Sequence, residues 1–237
     1  MSLFAPFLLL AALSSPDAIV VLLNSPAATS PTRFAEAQRI VLEDAKAGKP
    51  LQQFVVGVTT KDPKAAKAYA DASRDKIRRL AEERNNPLAW YLLSMEKNDF
   101  RMLKRAADGG NIQALNALGS IMIQTAFDQK VDTNRLEKAL VQGFNCFRRA
   151  AAQRDPNGYI NLGTCYLRGF GCEPDFALAH QCFRAAAEAG HPEGMDYVSA
   201  NFENGHGVER NPELALLWRM KAKAVRGDKA AQEWLKK

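Results

Sequence analysis

Chemistry-bearing residues are scarce in this chain. Four cysteines and three histidines are spread over 237 residues. Cys146, Cys165, Cys172 and Cys182 form no C-x-x-C pair and no closely spaced framework, so they read as small core residues and no disulfide is expected. Cys172, His180 and Cys182 come nearest to a metal-ligating group. Their spacing matches no standard zinc pattern, so neither a metal nor a cofactor is expected. Serines lack a nucleophile-elbow setting, and no cluster of carboxylates announces an active site, so no catalytic residue is assigned and the chain reads as a non-enzyme.

Long hydrophobic runs are also missing. Leu3 to Leu13 is apolar throughout but too short to span a bilayer as a helix. Its length suits a signal-peptide core, and Ala12-Leu13-Ser14 is a tolerable cleavage site, yet no Lys or Arg precedes Arg33. Residues 1–14 are therefore either a leader or a hydrophobic N-terminal helix. Export to a periplasm or the medium is favoured; the alternative is a cytoplasmic protein. Membrane contact is expected only through residues 1–14, if they are retained. The net charge of +6 divides by segment as −1 (1–32), +4 (33–85), +4 (86–154), −2 (155–190) and +1 (191–237). Both signs are mixed, as in Lys104-Arg105 beside Asp108, which argues against nucleic acid as a partner, since a nucleic-acid surface gathers its cations into one stripe.

Prolines and glycines carry the organisation. Pro16, Pro50, Pro87, Pro156 and Pro192 each follow a polar residue and open a helix-like run, the position where a missing N–H has no intrahelical partner. Gly48, Gly110, Gly190 and Gly227 close such runs. Two units align without gaps, 36 residues apart: Gly158 with Gly194, Tyr166 with Phe202, Gly169 and Gly171 with Gly205 and Gly207, Asp175 with Asn211, Ala179 with Ala215, Ala186 with Ala222. Each unit reads as a helix A, a glycine turn and a helix B opened by an Asp or Asn cap. The same frame extends backwards. Ala114 to Gly119 matches Gly158 to Gly163 at a spacing of 44, with the extra residues near Phe127 to Asn134; Ala89 to Ser94 matches Ala114 to Gly119 at 25, a unit without its A–B loop. A supersecondary unit copied down the chain predicts an all-α, α/α superhelical solenoid of antiparallel helical hairpins.

The expected layout is an apolar segment 1–14, divergent hairpins over 15–85, and repeats over 86–227. The repeats divide into 86–110, 111–154, 155–190 and 191–227, and a capping helix follows at 228–237. In the first unit, helix B is expected from about Thr32 to Ala47, with Phe34, Ala37, Ile40 and Val41 on one face.

The pattern of Gly158, Leu162, Gly163, Tyr166, Gly169, Gly171, Asp175, Ala179, Ala185, Ala186 and Gly190 resembles the Sel-one-like repeat (SLR) family, relatives of the tetratricopeptide repeats. Gly194, Val198, Phe202, Gly205, Gly207, Asn211, Ala215, Trp218 and Ala222 carry it in the next unit. The match is specific over about 111–227 and weak before residue 86. The resemblance implies a TPR-like scaffold that recruits protein partners. A cysteine-rich bacterial branch staples its helices through regular cysteine pairs; the matching helix-B positions here are alanines, so the thiols are expected to be free.

The expected binding surface is a stripe on the helices A, at i, i+4 and i+8: Asn116, Ser120 and Gln124; Ile160, Thr164 and Arg168; Asp196, Ala200 and Asn204; with Tyr91 and Met95 extending it. If helices A line the inner curve, these residues floor a concave groove suited to a peptide or protein partner. The alternative function is a cell-envelope small-ligand binder or weak hydrolase acting on peptidoglycan-like or β-lactam molecules. Open solenoid ends also make self-association an expectation.

Overall fold

The computed structural model describes residues 31–59, 63–127 and 132–236. The leader at 1–14, the Pro16 start and the opening helix of the first hairpin lie outside the described residues. Among those described, twelve α-helices follow one another with no strand between them. They are α1 (Pro31–Lys46), α2 (Pro50–Thr59), α3 (Pro63–Glu82), α4 (Pro87–Lys97), α5 (Phe100–Asp108), α6 (Ile112–Ala126), α7 (Thr133–Ala152), α8 (Pro156–Arg168), α9 (Phe176–Glu188), α10 (Pro192–Asn204), α11 (Pro212–Val225) and α12 (Lys229–Trp234). The fold is the all-α solenoid that the repeat pattern predicts.

Local chemistry sets where the helices begin. Pro87, Pro156, Pro192 and Pro212 stand in the first turn of α4, α8, α10 and α11. In front of them Asn86, Asp155 and Asn211 accept a hydrogen bond from the backbone N–H three residues on. Asn111 caps α6 in the same way without a proline. Each such cap is worth about 1 kcal/mol over alanine, because it satisfies a donor that the helix itself leaves open. His191 stands in the cap position of α10 but makes no side-chain cap bond.

Each helix packs on the next in the chain, pairing α2 with α3, α4 with α5, α6 with α7, α8 with α9 and α10 with α11 as helical hairpins. A second set of contacts decides the curvature. At three of the four steps the first helix of a unit touches the first helix of the following one: α2 meets α4, α6 meets α8, and α8 meets α10. Successive second helices have no comparable contact among the described residues. The A helices therefore form the inner layer and the B helices the outer one. α12 packs on α11 and covers the C-terminal end.

Three apolar clusters run along the stack. The first joins Ala37, Val41, Phe54, Ile77, Trp90, Leu92, Leu93, Leu103 and Leu115, reaching to Cys146 and Ala150. In α1, Ala37 and Val41 lie on the buried face, and Ile40 is half-buried; the side chain of Phe34 is outside the described residues. The second cluster centres on Phe147, Leu162 and Cys165. The third centres on Phe183, Met195 and Val198. Phe183 is fully buried and stacks on Tyr197 with ring centroids 4.2 Å apart. It fits because Gly163 faces it; a Cβ there would stand 2.7 Å from the ring. Gly119 makes the same room for Phe147, at 2.6 Å.

The second glycine of each G-x-G turn has a role that the turn alone does not explain. Gly171 and Gly207 have φ of 73° and 69°, where a side chain is strained. They also press on the B helix of the preceding unit. A Cβ on Gly171 would lie 2.4 Å from the Leu140 carbonyl oxygen, and one on Gly207 would lie 2.0 Å from that of Phe176. The A–B turn of one unit is thus seated, backbone on backbone, on the outer helix before it.

Candidate functional site

The inner face is built from the outward sides of α4, α6, α8 and α10. Exposure along the expected stripe is uneven. Met95, Ser120, Gln124, Arg168, Asp196, Ala200 and Asn204 are exposed, and Thr164 is half-buried. Ile160 is 5% exposed and Tyr91 9%, so neither is a groove-floor residue. The cause at Ile160 is packing: α8 touches inner helices on both sides, α6 and α10, so the N-terminal part of its stripe is covered. Tyr91 belongs to the large core cluster of the compact unit, and burial pushes its phenol pKa up. Spacing along one helix cannot see either effect, because both come from the neighbouring unit.

Asn116 is also committed to the fold. It is half-buried, and its Nδ2 donates to Asp155 Oδ2 at 2.7 Å. The same oxygen accepts from the Gly158 N–H at 2.7 Å, and Asn161 Nδ2 donates to Asn116 Oδ1 at 3.3 Å. This network ties α6 to the start of α8. Burial raises the Asp155 pKa, while the bonds from Asn116 and Gly158 oppose the rise. Further along, Thr164 Oγ1 donates to the Ile160 carbonyl, Asn204 Nδ2 donates to that of Ala200, and Asp196 is bridged to Arg226. Ser120, Gln124 and Arg168 make no side-chain hydrogen bond among the described residues. With Met95 they are the part of the stripe open to a partner.

The layers differ sharply in charge. α2 and α6 carry no charged residue, and α4 carries only Glu96 and Lys97. The outer helices of the same units, α3, α5 and α7, hold 13 basic and 5 acidic residues, a net +8. Summing charge by sequence segment hides this, because each segment averages an inner helix with an outer one. Assigning A and B helices first and then counting would have exposed it.

The cysteines and histidines are built into the core. Cys165 shares a cluster with Cys172 and Cys182, a grouping that the sequence spacing did not suggest. Burial pushes the thiol of Cys165 up to about 12 and that of Cys182 to about 11, so neither supplies thiolate near neutrality. All four thiols are free. His180 Nδ1 lies 3.3 Å from Asn201 Nδ2, and its ring meets Phe202 edge-on. His206 stacks on Phe176 in the glycine turn. No group of three or more His, Cys, Asp or Glu able to hold a metal ion occurs among the described residues. No described helix is long and apolar enough to cross a membrane.

Successive helical hairpins, inner helices that touch from unit to unit, and backbone-seated turns define a helical-repeat solenoid. Residues 112–155, 156–191 and 192–218 each match the Sel1 repeat family model. Sel1 repeat proteins generally mediate protein–protein interactions, and the family is typically non-enzymatic. The chain is 30% identical over 113 residues to an uncharacterized protein of Neisseria meningitidis serogroup B, a match covering 48% of this chain and 21% of that protein. The chain therefore spans about a fifth of that relative's length. Among solved structures, a Sel1 repeat protein from Oxalobacter formigenes aligns with a TM-score of 0.47 at 24% identity, over 53% of this chain and 90% of that one. An SLR-fold protective antigen of uropathogenic Escherichia coli aligns with a TM-score of 0.37 at 17% identity, over 84% of this chain and 52% of the other.

Proposed function

We propose that this chain is a non-enzymatic adaptor that holds a peptide segment or a partner helix on the inner face of its A helices. The observation that carries this reading is the exposed set Met95, Ser120, Gln124 and Arg168, free of side-chain hydrogen bonds among the described residues, on a layer whose N-terminal units are almost uncharged. A mixed polar and apolar strip of this kind suits a polypeptide, whose backbone amides find Ser120 and Gln124 as donors and acceptors.

The small-ligand or hydrolase alternative needs an enclosed site with convergent polar groups. Two surface concavities, of about 460 and 310 Å³, lie elsewhere. The first is lined by Asn134, Glu137, Lys138, Val141 and Gln142 on α7; the second lies between Pro50 and the C-terminal half of α3. Neither is lined by a residue of the inner stripe.

The test is affinity capture from extract of the source cells with the wild-type protein and a Ser120→Trp, Gln124→Trp variant. The stripe positions already used by the fold are left untouched. Loss of the same protein from the variant's eluate is the expected outcome. Equal recovery contradicts an inner-face site.

A further inference from the structure

We propose that the outer face formed by α3, α5 and α7 is a second docking surface, shaped to take an acidic polypeptide segment. This goes beyond the inner-face reading and does not depend on it. The starting observation is the segregation of charge: a net +8 on three successive outer helices, against none on the inner helices of the same units.

The cations are held in register. Arg79, Lys104, Arg148 and Arg184 each stand two residues before a buried alanine, respectively Ala81, Ala106, Ala150 and Ala186, so they occupy one position of four successive outer helices. All four are exposed. Arg184 is neutralised by Glu188 at 2.7 Å. Arg79, Lys104 and Arg148 have no ion pair among the described residues, nor do Lys76, Arg101 and Arg105 around them. A row whose first three members are uncompensated carries a real field; one whose charges are already matched does not.

Neighbouring contacts keep the row in place. Arg105 lies over the Trp90 ring at 4.8 Å, and Arg148 lies over Phe144 at 6.0 Å. Arg149 reaches across from α7 to donate to the carbonyls of Ala107 and Asp108 at the end of α5, at 2.9 and 3.1 Å. The C-terminal ends of α5 and α7 are therefore adjacent, which brings Lys104, Arg105, Arg148 and Arg149 to one edge.

The chemistry of the row favours an acidic polypeptide. Each unpaired cation sits on a separate outer helix, so the row matches an anion that carries several carboxylates along one chain. Single-stranded nucleic acid stacks its bases on a series of free aromatic faces; Trp90 is buried with Arg105 over its ring, and Phe100 is the one exposed aromatic among the described residues of α3, α5 and α7, so no row of platforms accompanies the cations. A flat anionic bilayer would meet the convex side of the stack at only one helix at a time.

The experiment measures binding of a fluorescein-labelled oligoglutamate to the full chain by anisotropy, with oligothymidylate and phosphatidylserine vesicles as parallel probes. Three variants enter, with circular dichroism checking each fold: Arg79→Glu, Lys104→Glu, Arg148→Glu; Arg184→Glu, Lys221→Glu, Lys223→Glu; and the inner-face Ser120→Trp. The first and second change the net charge equally. Oligoglutamate binding should weaken about tenfold or more in the first and stay within about twofold of wild type in the others. Salt should weaken it throughout, since exposed charges are screened beyond roughly 8 Å at physiological ionic strength. If the triple reversal fails to fold, the glutamine versions at the same three positions carry the test. Absence of oligoglutamate binding overturns the proposal. So do an equal loss in the second variant and tighter binding of the nucleic acid or the vesicles through the same three residues.

Discussion

From α7 to α11 the units are joined through their backbones, whereas between α4 and α7 they are joined through side chains. In the C-terminal stretch, Gly171 seats on Leu140 and Gly207 on Phe176, at equivalent points of successive units. Gly158 and Gly194 likewise admit the Ala150–Ala151 and Ala186–Ala187 segments to within 3 Å of where a Cβ would stand. The compact unit has no such turn. Asn98, at φ 50°, ends α4, and Asp99 opens α5 at once. Its link to α7 is made by Arg149 and by Gln153, whose Nε2 donates to the Gly110 carbonyl at 3.0 Å. The lesson concerns spacing. A joint made of backbone contact tolerates little change in length, and there the repeat holds at 36 residues. Flexible side chains bridge units of different length, and there the spacing runs 25 and then 44.

The comparison can be broken at several points. The largest effect should come from Phe183→Ala, which empties the space opposite Gly163 and removes the stacking on Tyr197; urea unfolding should show a loss of about 3–5 kcal/mol. Next comes Gly207→Ala. The left-handed backbone costs about 1–2 kcal/mol, and displacing the Phe176 carbonyl brings the total to about 3 kcal/mol. Gly190→Ala is its control: φ is 86°, but nothing lies within 4 Å of the new methyl, so only about 1 kcal/mol should be lost. Equal costs for the two would remove the seated turn from the account. In the side-chain joint, Arg149→Ala should cost only about 1 kcal/mol, because the Ala107 carbonyl keeps its bond from the Gly110 N–H and the Asp108 carbonyl, at an exposed helix end, regains water.

Acid should separate the two regions as well. All three histidines lie in the C-terminal stretch, and burial depresses the pKa values of His180 and His191, with Arg184 and Arg226 adding to it. His191 is 4% exposed, and neither ring nitrogen has a hydrogen-bond partner. A depressed value means that the unfolded chain takes up the proton first. Stability is therefore intact above the ordinary value of 6.5 and declines as pH falls below it, until the folded imidazoles titrate. Asp155, whose pKa is raised, acts in the opposite sense, toward its ordinary 3.8. His191→Asn removes one titration and supplies the cap that α10 lacks. Its unfolding midpoint should rise slightly at pH 7 and fall less steeply between pH 6.5 and 5 than that of the wild type.

The helix starts and the solenoid could be read because they rest on local chemistry. Pro87, Pro156 and Pro192, and Asn111 where proline is missing, stand where α4, α8, α10 and α6 begin. What could not be read depends on contact between units. Ile160 and Asn116 share the surface spacing of Ser120, yet one is covered by neighbouring helices and the other bonds to Asp155. The glycines of the turns were recognisable as turn residues, but the seat of Gly207 on Phe176 needs the preceding helix in place. The basic outer face was present in the sequence and obscured by summing across both layers.

In the proposed function, partners meet this scaffold on the inner layer, beside Ser120 and Gln124. Its most direct test is site-specific photo-crosslinking, with the photoreactive residue placed at Gln124 in one protein and at exposed Gln181 on outer helix α9 in another. The account predicts that the polypeptide captured by the wild-type protein is crosslinked from position 124 and not from position 181. Crosslinking of that polypeptide from 181 alone would contradict it.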